Sequence, residues 1–342
     1  MIKIDLRSDT VTLPTKEMLQ SIVEAEFGDD VSREDPTVNR LEELAADIFG
    51  TEAALLMTSG TQSNLVALMA HCQPGDEVIM EAESHVYYYE VGGMARVGGL
   101  IPRLVRGKRG VFTPDQVREA YRGEDLHFPR TRLVEMENTH NRAGGTVWTP
   151  GQVREVARTA RDLGMATHID GARIFNATVA LGVDPKEYGK EVDSITFCLS
   201  KGLAAPIGSV LVGSEDFIER ARKVRKMLGG GMRQAGIIAA PGIVALTSMV
   251  DRLEEDHRNA YLLADGLRSL EGLSIDKDSV QTNLVLVDVS GTGMDALEFV
   301  RRSEEVGVLI HDFSPTTVRF VTHHGILEGD IEETLSRIEG IL

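Results

Sequence analysis

Two residues able to do covalent and electrostatic chemistry stand directly behind apolar runs. Lys201, in Ser200-Lys201-Gly202, follows the run 194–199, and Asp170, in His168-Ile169-Asp170-Gly171-Ala172-Arg173, closes the run 165–170. If both runs are parallel strands, both side chains stand at strand C-termini, where α/β sheets bind ligands. Partial desolvation there disfavours an ammonium group and frees an amine nucleophile. An aspartate beside it can keep a heterocyclic nitrogen protonated. Alone, each residue reads as an exposed lysine or a capping aspartate. Together they meet the demands of pyridoxal 5'-phosphate, whose aldehyde a lysine captures as a Schiff base and whose protonated ring accepts electrons.

That cofactor also needs a phosphate site. Thr58-Ser59-Gly60-Thr61 opens a helical pattern through Leu65, Leu68 and Met69, so free backbone N–H groups and hydroxyls can face an anion. An ordinary N-cap at Ser59 is the commoner meaning of such a sequence. His85, in Glu83-Ser84-His85-Val86-Tyr87, follows the apolar run 77–80 and could lie on a flat ring, although alone such a residue is more often a surface-loop or hydrogen-bonded histidine. Lys226 and Arg233 flank Gly229-Gly230-Gly231-Met232, a run that lets backbone approach a ligand or a partner subunit closely. Arg319 lies inside the apolar run 317–322, where a guanidinium should have a carboxylate to grip, an edge-strand arginine being the equal alternative. The sequence holds no G-x-x-x-x-G-K-[ST] loop, H-E-x-x-H, G-x-S-x-G or EF-hand loop. Gly291, Gly293 and Ala296 imitate a dinucleotide fingerprint, but too little chain follows for the remaining βαβ units, and a helix-start turn is the reading adopted.

The elements that must position these residues follow from hydrophobic period. Between about 50 and 215, short β-rich runs (77–80, 131–137, 165–170, 194–199, 209–212) alternate with helical patterns, which predicts a mostly parallel sheet covered by helices on both faces, an α/β fold. The clearest helix spans 152–163, with Val153, Val156, Ala157, Ala160 and Leu163 at spacings of three and four and Gly164 as its stop. The charge-free run 235–250 reads as a buried helix, kinked or preceded by a turn at Pro241-Gly242. From about 251 a charged helical stretch, strands at 283–289 and 318–322, and helices at 295–305 and 328–342 predict a smaller α+β unit. The expected division is an N-terminal segment 1–15 packing on the small domain, a large domain 16–250 and a C-terminal domain 251–342.

Composition narrows the partners. In 342 residues, 53 acidic against 36 basic side chains leave a formal charge of −17, with no long basic run, which argues against nucleic acid and anionic membranes. Two distant cysteines, Cys72 and Cys198, make neither a disulfide framework nor a Cys-x-x-Cys metal cluster, and no metal is expected. The charged start MIKIDLRSDTVT lacks the apolar stretch of a signal peptide, so a cytoplasmic location is expected.

The segments IDLRSDTVTLPT, TSGTQSN, ESHVYYYE, ENTHN, HIDGARIFNA, FCLSKGL, MLGGGMRQAG and VRFVTH, in this order, resemble the low-specificity L-threonine aldolases of the β-eliminating lyase / threonine aldolase group. The resemblance implies a fold-type-I pyridoxal-phosphate enzyme of the aspartate-aminotransferase architecture, a homotetramer of dimers that share active sites. The implied reaction cleaves L-threonine and L-allo-threonine to glycine and acetaldehyde, through an external aldimine and a glycine quinonoid. Carried over by motif, Lys201 matches the Schiff-base lysine, Asp170 the partner of the ring nitrogen, and His85 the imidazole stacked on the cofactor. Gly60 and Thr61 match the phosphate cradle, and Lys226 and Arg233 the cations that reach a neighbouring subunit. Arg173 matches a contact to the cofactor's phenolic oxygen or the substrate carboxylate. Ser8 and Arg319 match the carboxylate clamp, and His127 a second histidine near the substrate hydroxyl.

The catalytic base is left open among His85, His127 and a water. Where the family reads GDDVYGEDP, this chain has Val31-Ser32-Arg33-Glu34, so a local tyrosine contact is lost. Competing readings are a folate-using retro-aldol enzyme, an ammonia-releasing β-eliminating lyase, and a non-catalytic binding protein on the same scaffold.

Overall fold

The computed structural model describes residues 3–342. Its strands are β1 (Ile4–Asp5), β2 (Ala53–Met57), β3 (Glu77–Glu81), β4 (Ile101–Val105), β5 (Thr131–Glu137), β6 (Ala166–Asp170), β7 (Ser194–Cys198), β8 (Ser209–Gly213), β9 (Leu284–Asp288), β10 (Val308–Leu309), β11 (His311–Ser314) and β12 (Thr317–Val321). Seven of them form one sheet in the order β2-β8-β7-β6-β5-β3-β4. The pairs from β4 to β7 are parallel, and β8 runs antiparallel to both β7 and β2. Every residue of β3, β7 and β8 is buried, as expected of strands covered on both faces. The predicted α/β architecture is therefore present.

The strands absent from the sequence reading have physical reasons for being hard to see. Ala-Ala-Leu-Leu-Met of β2 favours a helix by intrinsic propensity, and only its full antiparallel register with β8 (Ala53↔Gly213 to Met57↔Ser209) makes it a strand. β4 carries Pro102 and is half exposed, which suits its place at the sheet edge. The predicted helix at 152–163 runs Pro150–Asp162, started by a reciprocal cap between Thr149 and Gln152 that hydrophobic period alone does not reveal. The charge-free run is a buried helix, Gly236–Ser248, with Pro241 inside it. The glycine-rich stretch before Ala296–Glu305 is a turn, with Gly293 at φ +78° and Asp295 capping the helix.

Two lesser hydrophobic clusters, around Leu211 and Val78, pack against the seven-stranded sheet, and two large cores form. The larger fills the space around the seven-stranded sheet, where the Phe49 and Phe197 rings stack at 5.2 Å and Phe175 meets Phe49 edge-on at 5.6 Å. Removing one such ring costs about 3–5 kcal/mol. The smaller lies around Leu263, Phe299 and Phe320 behind the antiparallel sheet β11-β12-β9 and includes Ile4 and Leu6. The N-terminal segment is sewn onto it, because β1 pairs in parallel with β10 and Leu6 bonds both Leu309 and Val321 through its backbone. Beyond Leu6 the chain crosses to the large sheet, and the Thr12 hydroxyl donates to the Lys201 carbonyl at 2.9 Å. No single helix among the described residues is long and apolar enough to cross a membrane.

Candidate active site

A cleft of about 370 Å³ opens at the C-terminal ends of β6 and β7 and is closed from the other side by β11 and β12. Ser8, His85, Asn141, Arg173, Lys201 and Arg319 are among its lining residues. Lys201 is half-buried three residues past β7, and among the described residues no hydrogen bond or ion pair holds its Nζ.

Asp170 ends β6 and is 1% exposed. Its Oδ1 accepts from the Ala172 N–H at 3.0 Å and its Oδ2 from Asn64 Nδ2 at 2.8 Å. Asn64 sits in the helix Gly60–His71, whose first turn also forms the anion site. Ser59 caps the Gln62 N–H at 3.2 Å, leaving the N–H groups of Gly60 and Thr61 without an intramolecular acceptor. A Cβ on Gly60 would stand 2.8 Å from Cys198 Sγ, so glycine is what lets this turn approach β7. A free lysine amine, a buried carboxylate on the neighbouring strand and an open helix N-terminus fit pyridoxal 5'-phosphate. Asn64 Oδ1, buried without a partner, points the same way.

His85 opens the short helix His85–Tyr88. Its backbone N–H donates to Glu137 Oε2 at 2.7 Å, and its Nδ1 lies 3.0 Å from Glu90 Oε1. Burial pushes the imidazole pKa down, but the Glu90 hydrogen bond and the Asp170 and Glu137 charges outweigh it and raise it above the ordinary value. Glu90 is itself pushed up, by burial first and by Asp170.

Arg173 lines the cleft; its Nε and Nη2 grip Asp9, each at 2.7 Å, and its Nη1 lies 3.4 Å from Asn141 Oδ1. The same Asn141 oxygen accepts from Arg319 Nη1 at 3.1 Å, while Arg319 Nη2 reaches the Arg7 carbonyl at 3.2 Å. Arg319 Nε is buried and unpartnered. Burial, with Arg173 nearby, lowers the Arg319 pKa, so a ligand carboxylate would be a strong partner. Ser8 Oγ accepts from the Thr10 N–H and hydroxyl at 3.2 and 2.8 Å.

Asp170, Gly60 and Thr61 are not among the residues that line the cleft, and three further expected residues stand apart from it on the surface of their own chain. His127 is exposed in the loop before β5, its N–H on Asp125. Lys226 is exposed at the end of the helix Glu215–Met227, and Arg233 pairs with Asp29 at 2.7 Å on the surface. Arg33, where the family has glycine, takes φ +61° and ion-pairs with Glu219. The sequence reading assigned no role to Asp9, Asn64, Glu90, Glu137 or Asn141. All five stand inside the quoted motifs; Asp9, Asn64, Glu137 and Asn141 take their importance from partners far away in the chain, and Glu90 from His85 five residues before it.

The profile described as "Beta-eliminating lyase" matches residues 5–290. The chain is 43% identical over 340 residues to the low specificity L-threonine aldolase of Escherichia coli strain K12, covering 99% of each chain. It is 42% identical over 341 residues to low-specificity L-threonine aldolase 1 of Arabidopsis thaliana, covering 98% of this chain and 95% of that one. Among solved structures, a threonine aldolase of Leishmania major superposes with a TM-score of 0.87 at 16% identity, over 98% of this chain and 99% of that one. An aspartate aminotransferase double mutant of Thermus thermophilus superposes with a TM-score of 0.75 at 19% identity, over 100% and 92%. These two show the shared fold-type-I architecture. With relatives above 40% identity end to end, the chain belongs to the low-specificity L-threonine aldolases of the beta-eliminating lyase family, and its cofactor is pyridoxal 5'-phosphate.

Proposed function

We propose that this cleft cleaves L-threonine and L-allo-threonine to glycine and acetaldehyde. The observation that carries the reading is the unpartnered Lys201 amine in a cleft lined also by two guanidiniums that converge on Asn141, with the buried Asp170 carboxylate at the end of the neighbouring strand. Bound pyridoxal phosphate supplies a ring that accepts the electron pair released at the substrate Cα. Lys201 Nζ would hold its aldehyde carbon, the Gly60 and Thr61 N–H groups its phosphate, and Asp170 the proton on its ring nitrogen.

The chain's own residues then do the positioning. Arg319, with Ser8 and the remaining Arg173 Nη1, would hold the substrate carboxylate and so fix the direction of the bond from Cα to Cβ. The β-hydroxyl proton must leave as that bond breaks and the aldehyde carbonyl forms. Within one chain, His85 and a water ordered by it are the groups at hand to accept it. Residues 16–250 and 251–342, with 1–15 packed on the latter, are taken as the two domains that form the cleft, supported by the two separate cores. The reading extends to a cytoplasmic homotetramer in which Lys226, Arg233 and His127 serve a neighbouring subunit's cleft, supported by their exposure outside their own.

The test is turnover of the cofactor-loaded protein on both threonine epimers. Both should yield acetaldehyde at rates within about tenfold of one another, because a methyl group in an open pocket discriminates weakly. Ammonia without acetaldehyde would move the chain to β-elimination.

A further inference from the structure

We propose that Glu90 is a positioning residue that holds His85 as its Nδ1–H tautomer, leaving Nε2 as the proton-accepting atom over the cleft, and that Asn64 ties this pair to Asp170. The inference deepens the aldol reading and rests on it. Among the described residues, the only hydrogen-bond partner of the His85 ring is Glu90, through Nδ1 at 3.0 Å, with the Tyr89 ring tilted against it at 5.5 Å. An ionised carboxylate accepts but does not donate, so the shared proton belongs to Nδ1, and Nε2 of the neutral ring carries the lone pair.

The charge on Glu90 is held in place by its other neighbour. Asn64 Nδ2 donates to Glu90 Oε1 at 2.9 Å and to Asp170 Oδ2 at 2.8 Å. An amide nitrogen has two protons, so both are used, one on each carboxylate. Two buried carboxylates with nothing between them would repel until one took up a proton. The amide bridge offsets that repulsion and fixes its own orientation, its Oδ1 left without a donor. A protonated Glu90 would instead donate to Nδ1 and turn Nε2 into a donor, which could not take the hydroxyl proton. The backbone of His85 is pinned separately by Glu137. The side-chain proton position therefore depends on Glu90 alone. The result is a continuous path, His85–Glu90–Asn64–Asp170, that joins the imidazole to the carboxylate that would hold the cofactor's ring nitrogen.

The experiment reads the tautomer directly. Carbon-13 and nitrogen-15 spectra of histidine-labelled protein, with and without cofactor and with His85→Asn for assignment, are recorded at a pH where the ring is neutral. The wild type should show Nδ1–H at His85 in both forms, and Glu90→Leu should move the ring to Nε2–H or to a mixture. In Glu90→Gln the His85 titration midpoint should fall, the acid limb of kcat/KM should move to lower pH with it, and kcat should drop on the order of 100-fold with KM little changed. An Nε2–H wild-type ring, or a Glu90→Gln pH profile that superposes on the wild type, overturns the assignment. If a Glu90 variant does not fold, the wild-type spectrum alone decides. Failure of the aldol reading would appear differently, as absent acetaldehyde from a protein whose His85 still shows Nδ1–H.

Discussion

Asp9 and Arg173 meet through two hydrogen bonds of 2.7 Å, with the aspartate fully buried and the arginine 8% exposed. Burial alone would raise the Asp9 carboxyl, but the Arg173 charge and its hydrogen bonds hold it well below the usual carboxylate range. The N-terminal segment, sewn to the small sheet at Leu6, thereby reaches across and orients an arginine of the large one. Asp9→Ala would leave Arg173 charged and buried without its partner, at a cost of about 3–5 kcal/mol. Urea unfolding should show that loss, whereas an unchanged midpoint would mean that Asn141 and solvent suffice for Arg173.

Arg319 has one free buried N–H and one bond to an amide oxygen that a carboxylate would replace. Arg319→Lys keeps the charge and loses the planar fork. A lost charge-assisted bond of about 2 kcal/mol corresponds to roughly a 30-fold rise in KM for threonine. Steady-state kinetics should place the effect in KM more than in kcat.

His168 is fully buried on β6, with Nδ1 on Ser194 Oγ at 2.9 Å and Nε2 without a partner. Burial lowers its pKa from 6.5 to about 4. A depressed folded pKa contributes stability that is present above the unfolded value, near 6.5, and is lost as pH falls toward 4. The contribution is on the order of 3 kcal/mol. His71 and His257 are lowered in the same direction, also by burial. Unfolding free energy should fall steeply between pH 6.5 and 4, and His168→Gln should flatten that slope.

Glu135 behaves with the opposite sign. It is fully buried on β5 with both carboxylate oxygens unpartnered, and burial, with the charges of Asp170 and Glu137 nearby, raises its pKa well above the ordinary value. A raised folded pKa gives stability that is full below about 4.5 and is lost as pH rises toward the folded value. Glu135→Gln escapes that loss. Its stability relative to wild type should therefore be greater at pH 8 than at pH 5, and an equal difference at both would contradict a neutral Glu135.

Residues set by local sequence were legible. Lys201 and Asp170 stand behind apolar runs, Ser59-Gly60-Thr61 opens a helix, and the run 131–137 is a strand with those bounds. The other strands of the large sheet that were read were placed to within one residue at either end. Residues whose meaning lies in distant pairing were not. Asp9 acts on Arg173, Asn64 on Asp170, and Asn141 on Arg319, and no period or cap in the sequence encodes those partners. β2 was hidden for the same reason, since its pairing with β8 overrides a helical propensity.

The most direct measurement is a mass balance on L-threonine with the purified, pyridoxal-phosphate-loaded protein and a Lys201→Ala control. Glycine and acetaldehyde should form in equal amounts from wild type, with neither above background from a folded Lys201→Ala. Ammonia in place of glycine, or equal turnover by the control, would contradict aldol cleavage at this cleft.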